Sequence, residues 1–151
     1  MNRLKVLAVA VITGRIGYVL TDGTELLHWG SSRRSAASPA RAAEQLQKWI
    51  ATFKPDMVVS EDPYRTKHKG GKARRIMEAL AEVAERSGLA NAAITRKQEF
   101  KNKYEEARDL VAKFPLLVPW LPKQPRIWEA EPHSTLYFEA LALAMQAMPD
   151  Q

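Results

Sequence analysis

The chain has 151 residues, 46% hydrophobic and 26% charged, which fits one globular domain over residues 1–151, burying about 70% of its unfolded surface. It has no cysteine, which excludes a disulfide scaffold, Cys-ligated zinc, iron–sulfur clusters and thiol catalysis, and no apolar run nears the roughly 20 residues of a membrane span. Lys and Arg number 23 against 17 Asp and Glu, a net charge of +6, which raises the expectation of a polyanionic partner.

Met1 to Ile12 has the outline of a signal peptide, with Arg3 and Lys5 before an apolar run. That run is at the lower length limit and a hairpin pattern follows it, so it reads as a first strand. Leu4 to Ile12 predicts a strand buried on both faces. Arg15 to Thr21 predicts a second strand, Thr21-Asp22-Gly23-Thr24 a hairpin turn, and Glu25 to Trp29 a third strand. Gly30 to Ser38 reads as a polar loop. Ser38-Pro39 starts a helix, as cap and first helical residue, with Ala42, Leu46, Trp49, Ile50 and Phe53 as its apolar stripe. Met57 to Ser60 is a fourth strand. Gly70-Gly71 opens a second helix that runs to Ser87, with Gly88 at its C-terminus.

Ala92 to Thr95 predicts a fifth strand and Glu99 to Phe114 a third helix. Pro115 to Pro132 is proline-rich and reads as an ordered, extended loop. Ser134 to Met148 is the last helix. The order β-β-β-α-β-α-β-α-α implies an α/β fold. Three strands with short links pair antiparallel, and two more reached through helices pair parallel, with helices flanking the mixed sheet.

Three features carry possible chemistry. Ser60-Glu61-Asp62-Pro63 sits at the C-terminal end of a central strand, where sites form in α/β sheets. A carboxylate there can hold a hard cation such as Mg²⁺, or simply end a strand. Glu139 lies in Leu136 to Ala144, which is apolar almost all round. A buried acid there needs a metal, an Arg or a Lys beside it. Glu131 precedes the same helix, where the helix dipole also accounts for an acid.

The third feature, Arg65 to Arg75, holds Arg65, Lys67, Lys69, Lys72, Arg74 and Arg75 and no acid. It offers cations and flexible glycine backbone for phosphate contact, or a solvated helix face. Its glycine pair lacks Walker spacing. His28, His68 and His133 show no zinc spacing. Ser60 lacks a nucleophile elbow. The four Trp residues read as core or loop anchors rather than base-stacking platforms.

Taken together, Val6-Leu7-Ala8-Val9-Ala10 through Gly17-Tyr18, Val58-Val59-Ser60-Glu61-Asp62, and Phe138-Glu139-Ala140-Leu141-Ala142-Leu143-Ala144 resemble the RuvC-like branch of the ribonuclease H-like superfamily, which includes Holliday-junction resolvases. The resemblance covers nearly the whole chain. It implies a ribonuclease H-like sheet and a structure-selective endonuclease acting on branched DNA. It also implies carboxylates that hold two Mg²⁺ (or Mn²⁺) ions to activate water, a homodimer, and a cytoplasmic protein of bacterial or phage origin. Glu61 matches the fourth-strand acid and Glu139 the last acid of the final helix. Glu131 is a third candidate metal ligand. Arg65, Lys67, Lys69, Lys72, Arg74 and Arg75, with Lys101 and Lys103, would hold phosphates.

Two positions depart from the pattern. Ala10 stands where the first-strand acid belongs, so that position is vacant. Leu136 stands where a further helix acid is common. Alongside the nuclease stand a catalytically inert nucleic-acid-binding protein on the same fold, and a basic face that binds an acidic protein.

Overall fold

The computed structural model describes residues 4–65, 70–95, 100, 102–129 and 132–147. Strands β1 (Lys5–Ile12), β2 (Arg15–Asp22) and β3 (Glu25–Ser32) form an antiparallel meander. Two-residue turns join them, and Gly14 and Gly23 supply the positive φ these turns need, 77° and 62°. Asp22 pairs with Glu25, so Gly23-Thr24 forms the second turn, one residue later than expected. The register then slips between Leu20 and Thr21. This bulge turns Leu27 outward, where it is 41% exposed.

β3 also runs three residues beyond Trp29, into the expected loop. Gly30, Ser31 and Ser32 pair with Tyr18, Gly17 and Ile16. Backbone hydrogen bonds hold this edge strand, so its polar end leaves no hydrophobic trace. Arg34–Ala37 forms a short 3-10 turn. Helix α1 (Pro39–Phe53) starts as expected, with Ser38 Oγ accepting from the Arg41 N–H at 3.2 Å.

β4 (Met57–Glu61), α2 (Gly71–Arg86) and β5 (Ala90–Ile94) follow. Helix α3 (Lys103–Lys113) begins four residues later than Glu99, because Asn102 caps it and accepts from the Tyr104 and Glu105 N–H groups at 3.0 Å each. The expected extended loop begins instead with a 3-10 helix, Pro115–Trp120, which drives Leu117 fully into the core. Helix α4 spans Thr135–Ala147. No helix among the described residues is long and apolar enough to cross a membrane.

The sheet order is β3-β2-β1-β4-β5, with β1–β4 and β4–β5 parallel. This is the mixed five-stranded sheet the sequence predicts. β1 lies at its centre, and Val6 to Val11 are at most 1% exposed. Side-chain alternation splits the strand between two cores. Val6, Ala8, Ala10 and Ile12 pack with α3 and α4. Leu7, Val9 and Val11 pack with α1 and α2.

On the α1 side, the Tyr18 ring packs against Trp49 and Phe53, with centroids 4.6 and 5.2 Å away. Its hydroxyl shares a 2.6 Å hydrogen bond with His28 Nδ1. Burial, with a smaller contribution from Tyr137, pushes the Tyr18 phenol from 10.0 up to about 12. Between those values the unfolded chain has released this proton and the folded chain keeps it, so stability falls as pH rises through that window. Urea unfolding at successive alkaline pH values should show this loss in the native protein. A Tyr18→Phe variant should lose less stability across the same range.

Candidate functional site

Glu61 closes β4. Its neighbours on alternate positions, Met57 and Val59, pack in the α4-side core, whereas Val58 packs in the α1-side core. Alternation therefore turns Glu61 toward α3 and α4, and only 7% of it is exposed. The chain leaves through an Asx turn in which Asp62 Oδ1 accepts from the Tyr64 N–H at 2.8 Å.

β1 and β4 run parallel with Ala8 level with Val59. The β1–β4 pairing ends there, and two residues further along their strands Ala10 and Glu61 turn their side chains to the same face. The sheet thus turns an acid and a methyl group to one face.

Leu136 packs over the neighbouring strand β2. Ala10 pairs with Gly17 across β1 and β2. A Cβ built on Gly17 would lie 2.5 Å from Leu136 Cδ2 and 3.2 Å from the Gly30 carbonyl oxygen. Only glycine lets α4 come this close. Leu136, at 0% exposure, therefore seals the region beside Ala10 with hydrocarbon.

Glu139 follows one turn later on the same helical face and is 4% exposed. A third buried carboxylate, Glu106 of α3, is 5% exposed and was not anticipated. Its signal was its place four residues before Leu110, inside the inward stripe. Glu61, Glu106 and Glu139 each have interaction partners.

Among the described residues, no group of three or more His, Asp or Glu side chains could hold a metal ion. Two divalent ions about 4 Å apart need several shared carboxylates. Ala10 and Leu136 supply methyl groups at two of the expected places. The described residues therefore do not fit a two-Mg²⁺ centre. Glu131 lies outside the described residues.

The cations gather at the same edge. Arg65 is exposed shortly after Glu61, and Lys72, Arg74 and Arg75 are exposed in the first turn and a half of α2. That turn contains no acid. Cations at a helix N-terminus oppose the helix dipole by a few tenths of a kcal/mol or more each. The arrangement costs stability and concentrates positive potential where backbone N–H groups also point outward. Lys103 is half-buried at the start of α3. Lys67, Lys69 and Lys101 lie outside the described residues.

This architecture is a ribonuclease H-like α/β fold. RuvC from Thermus thermophilus shares it at 17% identity and a TM-score of 0.60, over 94% of this chain and 92% of that one. The T. thermophilus RuvC complex with a Holliday junction substrate gives 19% identity and a TM-score of 0.61, over 95% and 94%. A fowlpox virus resolvase solved with Holliday junction DNA gives 10% and 0.56, over 97% and 100%. No protein-family model matches the chain, and no curated protein matches it in sequence.

The Gly17–Leu136 contact predicts a coupled pair. Gly17→Ala should destabilise the protein by about 1–3 kcal/mol through overpacking. Adding Leu136→Ala should relieve part of that cost, so the double variant is less destabilised than the sum of the singles in a denaturant cycle.

Proposed function

We propose that this protein binds branched DNA through the sheet edge that carries Glu61 and the start of α2, and that it does not cut by a two-metal mechanism. The observation that carries the binding half is the exposed cluster of Lys72, Arg74 and Arg75 at the positive end of α2, whose first turn contains no acid. It lies on a fold shared with a RuvC and a viral resolvase, both solved with Holliday junction DNA. Phosphates would repay the electrostatic cost of that cluster.

The inert half rests on Leu136 packed against Gly17 beside Ala10. Phosphodiester cleavage needs charge stabilisation at both the attacking and the leaving oxygen. A hydrocarbon plug supplies neither. Glu61 and Glu139 then act as buried polar anchors that organise the edge, not as metal ligands. The protein would work as a cytoplasmic homodimer, since a four-way junction presents two equivalent strands to a two-fold partner.

The nuclease reading keeps one support, the retention of Glu61 and Glu139 as buried acids on the same side of the sheet. A labelled four-way DNA junction separates the two. The native protein should bind it in preference to linear duplex and leave it uncut in Mg²⁺ or Mn²⁺. Replacing Lys72, Arg74 and Arg75 with Ala should weaken binding and flatten the log affinity against log salt plot by up to about 3 units of slope. Metal-dependent cleavage by the native chain that disappears in Glu61→Gln would overturn the inert reading. Salt-insensitive or absent DNA binding would overturn both.

A further inference from the structure

The segment before α4 presents its apolar side chains outward. Ile127 is 102% exposed and Trp128 77% exposed. They occupy the two corners of a tight turn, positions where Gly, Asn, Asp and Pro are usual. The turn is closed at both levels. The Glu129 N–H donates to the Arg126 carbonyl at 2.9 Å, and the Arg126 N–H donates to Glu129 Oε1 at 3.1 Å. Glu129 also lies 3.9 Å from the Arg126 guanidinium. That guanidinium sits 5.6 Å from the Trp128 ring centre. The other three tryptophans behave as anchors. Trp29 meets Trp120 edge-on at 5.2 Å, and Trp49 packs on Tyr18. Trp128 is far more exposed than Trp120, 77% against 37%, and Trp29 and Trp49 are partly buried.

The turn borders a concave surface of about 490 Å³ shared with Lys123, Pro125 and Pro132. Pro132 connects this surface to the candidate site. Its carbonyl accepts from Thr135 Oγ1 at 3.0 Å and from the Thr135 N–H at 3.2 Å, starting α4. Leu136, the next residue, rests on Gly17 beside Ala10.

We infer that Trp128, presented by the Arg126–Glu129 turn, is a stacking platform for an unpaired or unstacked nucleobase at the branch point of a DNA junction, with Lys123 and Arg126 contacting the adjoining phosphate. This rests on the branched-DNA reading above and gives it a second contact. The chemistry matches a base better than an acidic protein segment. An indole face accepts any base, and a guanidinium at its edge pairs with phosphate. Apolar side chains of this kind also insert between partly unstacked base steps. The turn is fixed by its own hydrogen bonds, so little ordering entropy is lost on contact.

The test uses the full-length protein, a four-way junction, a linear duplex of the same sequence, and a junction carrying 2-aminopurine at the branch point. Trp128→Ala should weaken junction binding roughly tenfold and duplex binding much less. Trp128→Phe should stay within about threefold of the native protein, because a smaller ring still stacks. The native protein should lose tryptophan fluorescence and change 2-aminopurine emission on binding, and Trp128→Ala should reduce both. Unchanged junction affinity in Trp128→Ala, with affinity lost in the Lys72, Arg74 and Arg75 variant, overturns this inference and leaves the DNA reading standing. Equal losses on junction and duplex also overturn it, since the contact is then general. A native protein that binds no DNA removes both.

Discussion

The double burial of β1 is the constraint from which the remaining features follow. A strand with no solvent-facing side must be covered twice, and its alternating side chains assign each cover a separate core. That assignment carries across the ladder to β4. It decides that Val58 faces α1 and α2 while Val59 and Glu61 face α3 and α4. An acid at the end of β4 is therefore aimed at the last helix by strand register alone. Ala10 is aimed there as well, so the chemical character of this face is set by what β1 and α4 contribute.

α4 answers with hydrocarbon. Its small residues, Ala140, Ala142 and Ala144, are all buried, and glycine at position 17 lets the first turn settle directly on the sheet. Such close packing is favourable dispersion and apolar burial. The buried acids remain at the margin of this plug, each engaged with a partner. The basic edge is built on the opposite principle. Cations are placed against a helix dipole and exposed to solvent.

Much of this was legible in the residues. The run Val6 to Val11 announced a doubly covered strand, Ser38-Pro39 a helix start, and Leu136 to Ala144 a buried helix. Linkage through helices versus two-residue turns gave the parallel and antiparallel halves of the sheet. Other features depended on distant partners. The polar end of β3 is held by backbone pairing with β2, which hydrophobicity does not record. The Pro115–Trp120 turn forms because Leu117 finds a core pocket. Asn102, not Glu99, starts α3 because its side chain satisfies two orphan N–H groups. Glu106 sat on an inward stripe, yet a charged residue there reads as solvent-facing until the neighbouring helix is in place. Trp128 read as an anchor because tryptophan is usually buried. Only the closed Arg126–Glu129 turn turns it outward.

The cover of β1 also has an order in time. During synthesis the meander β1–β3 emerges first and can pair through its short turns. α1 and α2 follow and seal one face. The face bearing Val6, Ala8, Ala10 and Val59 waits for α4, the last described element to leave the ribosome. Until then the nascent protein carries a half-covered sheet with an open apolar surface, the kind of intermediate that aggregates or engages chaperones. The close fit of Leu136 on Gly17 is thus also the step that closes this face, and a change that loosens it would show itself first in yield from the cell.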